Sequence, residues 1–133
     1  MTTLQNLKIM IIDDSSTIRR SAEMFLSQAG HTVLLAEDGF AALALINDHH
    51  PDIVFCDVLM PRLDGYQTCA LIKRSPKFKH TPVIMLSSKD GLFDRARGVL
   101  VGSDHYLTKP FSKDDLLTTV QHFSQLLANS SSR

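Results

Sequence analysis

Between Pro51 and Gly65 the chain reads Pro-Asp-Ile-Val-Phe-Cys-Asp-Val-Leu-Met-Pro-Arg-Leu-Asp-Gly. Four apolar residues, Ile53 to Cys56, run without a polar break into the carboxylate of Asp57. The apolar run then resumes for three residues and is stopped by Pro61. A continuous apolar run bounded by proline on both sides predicts a strand buried on both faces. Asp57 then lies at the strand's carboxyl end, where an open α/β sheet places its ligands and its chemistry. A bare carboxylate is costly there unless something positive faces it. The rest of the chain has to supply that charge.

The flanking segments alternate in the way such a sheet requires. Lys8 to Ile12 is a short apolar run ending in Asp13-Asp14, a first strand. Ser15 and Ser16 are N-cap candidates for a helix whose Ile18, Ala22, Phe25, Leu26 and Ala29 recur at helical spacing until Gly30. Thr32 to Ala36 predicts a second strand, and Asp38-Gly39 opens a helix with Ala42, Leu43 and Ile46 inward, ending before Pro51. Gly65 begins a third helix to about Arg74, followed by a polar loop from Ser75 to Thr81. Pro82 starts a fourth strand, Val83 to Leu86, which delivers Ser87 and Ser88 to its end. A fourth helix over roughly Gly91 to Leu100 contains Gly98, and is weakened by it. Ser103 to Thr108 predicts a fifth strand, followed by Lys109-Pro110. A last helix from about Ser112 carries Leu116, Leu117, Val120 and Phe123 inward. Residues 1–128 form one domain, and Asn129 to Arg133 a disordered polar tail. Strands alternating with helices give a parallel sheet covered on both faces and joined by right-handed crossovers.

Composition narrows the function class. The 133 residues suffice for one domain with a real core. Fourteen basic and fourteen acidic residues cancel, which removes the footprint of a dedicated nucleic-acid binder. Cys56 and Cys69 have no metal-ligand spacing and are expected to be reduced packing residues of a cytoplasmic protein. No stretch has the form of a signal peptide or membrane span, and no second, effector domain is expected.

Asp13-Asp14, Asp57, Ser87 and Lys109 each follow a predicted strand, so a parallel sheet brings them to one edge. Three crowded carboxylates repel and raise one another's pKa. A hard divalent cation with oxygen ligands relieves that repulsion, and Mg²⁺ characteristically takes one or two carboxylates plus waters and substrate oxygens. Three carboxylates against one lysine leave the pocket at about −2, which one Mg²⁺ cancels. Such a pocket accepts a phosphoryl group, with Asp57 as the nucleophile that forms an aspartyl phosphate. Mg²⁺ and Lys109 neutralise the equatorial oxygens.

These motifs together resemble the receiver domain of two-component response regulators. They are Asp13-Asp14, Asp57-x-x-Met60-Pro61-x-x-Asp64-Gly65, Ser87 and Tyr106-Leu107-x-Lys109-Pro110. Within that family, residues 60–69, 85–93 and 101–104 are most similar to the stand-alone, chemotaxis-type regulators, notably the G-type regulators of twitching motility in type IV pilus chemosensory systems. The resemblance implies a single-domain doubly wound (βα)5 flavodoxin-like fold, five parallel strands in the order 2-1-3-4-5. It implies phosphorylation of Asp57 by a histidine kinase, Mg²⁺ bound directly by Asp14 and Asp57 and through water by Asp13, and the Leu59 backbone carbonyl as a further ligand. Lys109 contacts the phosphoryl group, with a cis peptide to Pro110. Ser87 moves toward the phosphoryl oxygen, and Tyr106 swings inward behind it. The surface of helix four, strand five and helix five then binds a downstream effector of the pilus or motility machinery. The protein is expected to be a monomer, not an enzyme with an external substrate. Leu59 and Lys89 flank the path of the hydrolytic water, and apolar Leu59 is expected to prolong the phosphorylated state.

Other readings compete. A phosphatase of haloacid-dehalogenase type also uses an Asp nucleophile and Mg²⁺, but wants a second acid where Leu59 stands. A flavodoxin-like cofactor module wants a glycine- and hydroxyl-rich loop where Asp13-Asp14 would repel phosphate. A receiver can also serve as a phosphate sink for a shared kinase, which the sequence does not separate from an output switch. Individual residues have plainer roles available: Asp64-Gly65 as a helix-start turn, Met60-Pro61 as a strand exit, Arg19-Arg20 as a solvated helix face, and Tyr106 as a half-buried strand aromatic. His49, His50, His80 and His122 are expected at the surface, with His105, beside Tyr106, at the border of the partner face.

Overall fold

The structure, a computed structural model, describes residues 6–88 and 92–131. Its elements follow the predicted alternation: β1 (Lys8–Ile12), α1 (Ser16–Gln28), β2 (Thr32–Ala36), α2 (Gly39–His49), β3 (Ile53–Asp57), α3 (Gly65–Arg74), β4 (Val83–Ser87), α4 (Leu92–Leu100), β5 (His105–Thr108) and α5 (Lys113–Ser131). The strands form one sheet in the order β2-β1-β3-β4-β5, every neighbouring pair parallel. After β2 is laid on one side of β1, the chain crosses back and adds β3, β4 and β5 on the other. That reversal opens a crevice outside the carboxyl ends of β1 and β3.

Strand side chains alternate between the two faces, and each face has its own core. Met10, Ile12, Val54, Cys56 and Met85 pack with Ala42 and Ile46 of α2 and Cys69 and Ile72 of α3. Ile9, Ile11, Ile53, Phe55, Ile84 and Leu86 pack with Ala22 and Leu26 of α1 and Leu116 and Val120 of α5. All five residues of β3 and of β4 are buried, which is why those strands read as unbroken apolar runs. Each such aliphatic side chain contributes roughly 1.5–3 kcal/mol when buried.

The helices begin where short polar side chains can satisfy free N–H groups. Ser15 caps α1 by accepting from Ile18 N, Asp38 caps α2 by accepting from Ala41 N at 2.7 Å, and Asp64 caps α3 in a reciprocal box with Gln67. Asp64 is thus the cap of a helix-start turn.

The start of β5 and the end of α5 differ from the expectation. β5 starts at His105 rather than Ser103, because Asp104 is spent on closing the edge of β4. Its backbone N–H donates to Val83 O at 2.8 Å, while its carboxylate accepts from Val83 N at 2.8 Å and from Lys73 Nζ at 2.7 Å. α5 continues through Ser131, so positions 129–131 are helical and not a disordered tail. Asn and Ser cost a helix only about 0.5 kcal/mol each relative to Ala, and no Gly or Pro intervenes to stop it. Gly98 has a packing role in α4: a Cβ there would stand 2.9 Å from Ser103 Oγ, so glycine lets the helix approach the following turn. Lys89, the expected helix start at Gly91, and the tail residues Ser132 and Arg133 lie outside the described residues. Among the described residues no helix is long and apolar enough to cross a membrane.

Candidate functional site

β1 leads into Asp13 and Asp14, β3 ends on Asp57, β4 ends on Ser87, and Lys109 follows β5. Strand register carries them to one edge: Ile12 is level with Cys56, Asp57 with Leu86, and Ser87 with Thr108. The Lys109 backbone N–H continues the ladder by donating to Ser87 O at 2.6 Å, and the Lys109–Pro110 peptide is cis, as the resemblance implied.

At the centre Lys109 Nζ lies 3.0 Å from Asp13 Oδ2 and 3.0 Å from Asp57 Oδ1. Asp13 is fully buried, and Asp57 and Ser87 are each 4% exposed. The second Asp13 oxygen accepts from Ser15 N at 2.9 Å. Asp14 is exposed, yet Asp13, Asp14 and Asp57 each place a carboxylate oxygen within 4.8 Å of the others.

This donor set suits a hard divalent cation. It is all oxygen, its carboxylates outnumber the one lysine, and exposed Asp14 leaves room for the waters that Mg²⁺ retains. Asp13, already engaged by Lys109 and Ser15, is the less available ligand.

The charges are strongly coupled to burial. Burial pushes the Asp57 carboxyl up most, the Lys109 hydrogen bond opposes it, and Asp13 and Asp14 add to the rise, leaving a pKa of about 6. Burial alone would lower the Lys109 ammonium, but its bonds to Asp13 and Asp57 outweigh that and its pKa is raised. At neutral pH the site therefore holds ionised Asp57 against a firmly charged lysine.

The loop after β3 is held close. Val58 N donates to Leu86 O at 2.9 Å, Gly65 N returns to Val58 O at 2.9 Å, and Leu63 N donates to Pro61 O at 2.8 Å across Arg62, whose φ is 68°. Arg62 is tied to Asp38 at 3.0 Å. The Leu59 side chain is 65% exposed at the rim.

Tyr106 is not part of this cluster. It lies in β5, level with Met85, half-buried, with the Arg95 guanidinium 5.2 Å from its ring centroid. Cys56, beside Asp57, has its thiol 3.6 Å from the Asp57 carbonyl oxygen, and burial raises its pKa well above the usual range. Burial likewise pushes Cys69 up to about 11. Both stay thiols, as packing residues do. His49, His50, His80, His105 and His122 are exposed.

One residue is misjudged by the sequence reading. Arg19 is half-buried rather than a solvated side chain, and its Nη1 donates to the Asp13 carbonyl oxygen at 2.6 Å. Its place one turn into α1 was the available signal, since that turn folds back over the end of β1.

Known proteins resemble this chain over most of its length. Residues 9–121 match the family description "Response regulator receiver domain". Protein PilG of Pseudomonas aeruginosa is 66% identical over 115 residues, covering 86% of this chain and 85% of that protein. The probable transcriptional regulator ycf27 of Galdieria sulphuraria is 44% identical over 109 residues, which span 82% of this chain and 42% of that longer protein. Among solved structures, chemotaxis response regulator CheY4 of Vibrio cholerae superposes with a TM-score of 0.85 at 32% identity, covering 88% of this chain and 98% of that one. The receiver domain of Francisella response regulator 1452 gives 0.85 at 34% identity, covering 92% and 99%.

Proposed function

The chain belongs to the response regulator receiver domain family, and from that premise we propose that it takes a phosphoryl group from the phosphohistidine of a kinase onto Asp57 and signals by changing a protein-binding face. The observation that carries this reading is the Lys109 ammonium 3.0 Å from both Asp13 and Asp57, with a third carboxylate alongside.

An Asp57 oxygen attacks phosphorus, the P–N bond to the histidine breaks, and the imidazole leaves with the bond's electrons and takes a proton from solvent. Asp14 and Asp57 would hold Mg²⁺ directly, Asp13 through water and Leu59 through its carbonyl; bound there, the ion supplies positive charge to the equatorial oxygens. Lys109 is placed to exchange its contact with the Asp57 carboxylate for one with the phosphoryl oxygens. The Ser87 hydroxyl, at the end of the adjacent strand, closes on the same group, and Tyr106 follows inward. The face of α4, β5 and α5 then engages its effector. A shift of this kind is limited to the differential stabilisation that the phosphoryl group supplies, typically ~1–3 kcal/mol. The reaction is self-modification with hydrolytic reset, without an external turnover substrate. The likeness to pilus chemosensory regulators and to PilG supports a cytoplasmic, monomeric protein whose effector belongs to the type IV pilus or twitching machinery.

Intact mass after incubation with acetyl phosphate tests the acceptor chemistry. Wild type with Mg²⁺ is expected to gain one phosphoryl group, while wild type with chelator and Asp57→Asn with Mg²⁺ gain none. An unmodified wild type under all conditions would overturn the reading. Replacing apolar Leu59 at the rim by Asn, which can hold a water, is expected to speed loss of the phosphoryl group several-fold; an unchanged decay rate would remove that role for Leu59.

A further inference from the structure

The acidic loop is held by more than its own carboxylates. Asp13 N donates to Ala36 O at 3.1 Å, Asp13 Oδ1 accepts from Ser15 N at 2.9 Å, and the Asp13 carbonyl oxygen accepts from Arg19 Nη1 at 2.6 Å. The last of these bears on Asp14. The carbonyl of Asp13 belongs to the peptide plane whose nitrogen is that of Asp14, and peptide planes are rigid. Fixing that carbonyl fixes the plane, and with it the position of the Asp14 Cα and the N–Cα axis about which its carboxylate is carried. Asp14 is itself exposed, so its approach to Asp57 depends on the backbone that carries it. A guanidinium on a carbonyl is a charge-assisted bond, stronger than a neutral pair, and half-buried Arg19 is anchored on the first turns of α1.

We propose that Arg19 is a positioning residue for the metal site, holding the Asp13–Asp14 peptide so that Asp14 meets Asp57 around a divalent cation. This rests on the receiver reading above and adds to it a residue that touches neither the cation nor the phosphoryl group.

The sign of the effect separates this role from simple electrostatics. Arg19 is a cation near a cation site, so by Coulomb's law its removal alone would tighten Mg²⁺ binding. A positioning role demands the opposite, because loss of a group that orients a ligand typically weakens metal affinity about 10-fold or more.

The test is a Mg²⁺ titration of the full chain followed by amide chemical shifts, which report on folded protein only. Arg19→Met keeps the aliphatic stem and helix propensity, and is expected to raise the Mg²⁺ Kd about tenfold. Arg19→Lys keeps the charge and one donor without the planar fork, and is expected to fall between Met and wild type. Arg20→Met, on the exposed neighbour, removes the same charge and is expected to leave the Kd unchanged or lower. An Arg19→Met protein that binds Mg²⁺ as tightly as wild type, or more tightly, overturns the proposal, as does equal weakening by Arg20→Met. Should Arg19→Met fail to fold, Arg19→Lys decides: wild-type affinity overturns the proposal and a higher Kd supports it. Failure of the receiver reading has its own signature, a wild type that shows no Mg²⁺ saturation, and that result would overturn the role of Arg19 as well.

Discussion

Asp57→Asn is expected to make the metal-free protein more stable at neutral pH by about 3 kcal/mol while abolishing its capacity to be phosphorylated. The Asp57 carboxyl titrates near 6 in the folded protein against an ordinary 3.8, and it is 4% exposed, so solvent screens little of that difference. The sign follows from proton counting. Between the two values the folded state binds the proton that the unfolded state has released, so stability falls as pH rises from about 4 through 6 and levels off above. Asn resembles the protonated carboxyl and never incurs that loss. The gain from Asp57→Asn should therefore be full above pH 6 and shrink toward zero by pH 4. Urea denaturation in chelator at pH 7.5 and pH 4 measures both ends; a variant less stable than wild type at pH 7.5 would refute the account. Mg²⁺ competes with the same proton, so wild-type Mg²⁺ affinity should decline as pH drops through 6. The Asp57 site is thus a region where stability is given up, and a cation bound there would restore part of it.

Gly65→Ala should be the most damaging single-methyl change near the site, costing about 3 kcal/mol or more and lowering Tm by about 10 °C or more. An added Cβ would overlap the Asp57 carbonyl oxygen and stand 2.8 Å from the Asp57 carbonyl carbon and the Val58 Cα. These are backbone atoms of the strand end that presents the Asp57 carboxylate, and Gly65 N is bonded to Val58 O at 2.9 Å. No rotamer change can absorb the collision, so α3 must move off β3. Mg²⁺ affinity should fall together with stability, because Asp57 and Leu59 sit on the peptides displaced. A Gly65→Ala protein that melts within about 2 °C of wild type would show that the loop yields more readily than its hydrogen bonds imply.

Much of this was legible in the chain before any coordinates. Buried parallel strands have no polar face, so β3 and β4 announce themselves as unbroken apolar runs, and a carboxylate or hydroxyl at the end of such a run has to lie at the sheet's edge. Local chemistry also marks the helix starts, since Ser15, Asp38 and Asp64 cap by reaching only three residues ahead. Where the sequence misled, the cause lay across the fold. Asp104 leaves β5 to bond Val83 and Lys73, and Gly98 is needed because α4 meets Ser103.

The alternation of strands and helices, the identity of Asp13, Asp14, Asp57, Ser87 and Lys109, and their family membership are properties of order and spacing along the chain. Those follow from residue type and short-range periodicity, which folding does not alter. That Lys109 spans Asp13 and Asp57, that Asp13 is buried while Asp14 is exposed, that Asp57 titrates near 6, and that Arg19 turns back onto the Asp13 carbonyl were settled only in three dimensions. Distance, burial and field at a site depend on residues brought together from four strands and a helix, and no local pattern in the sequence encodes them.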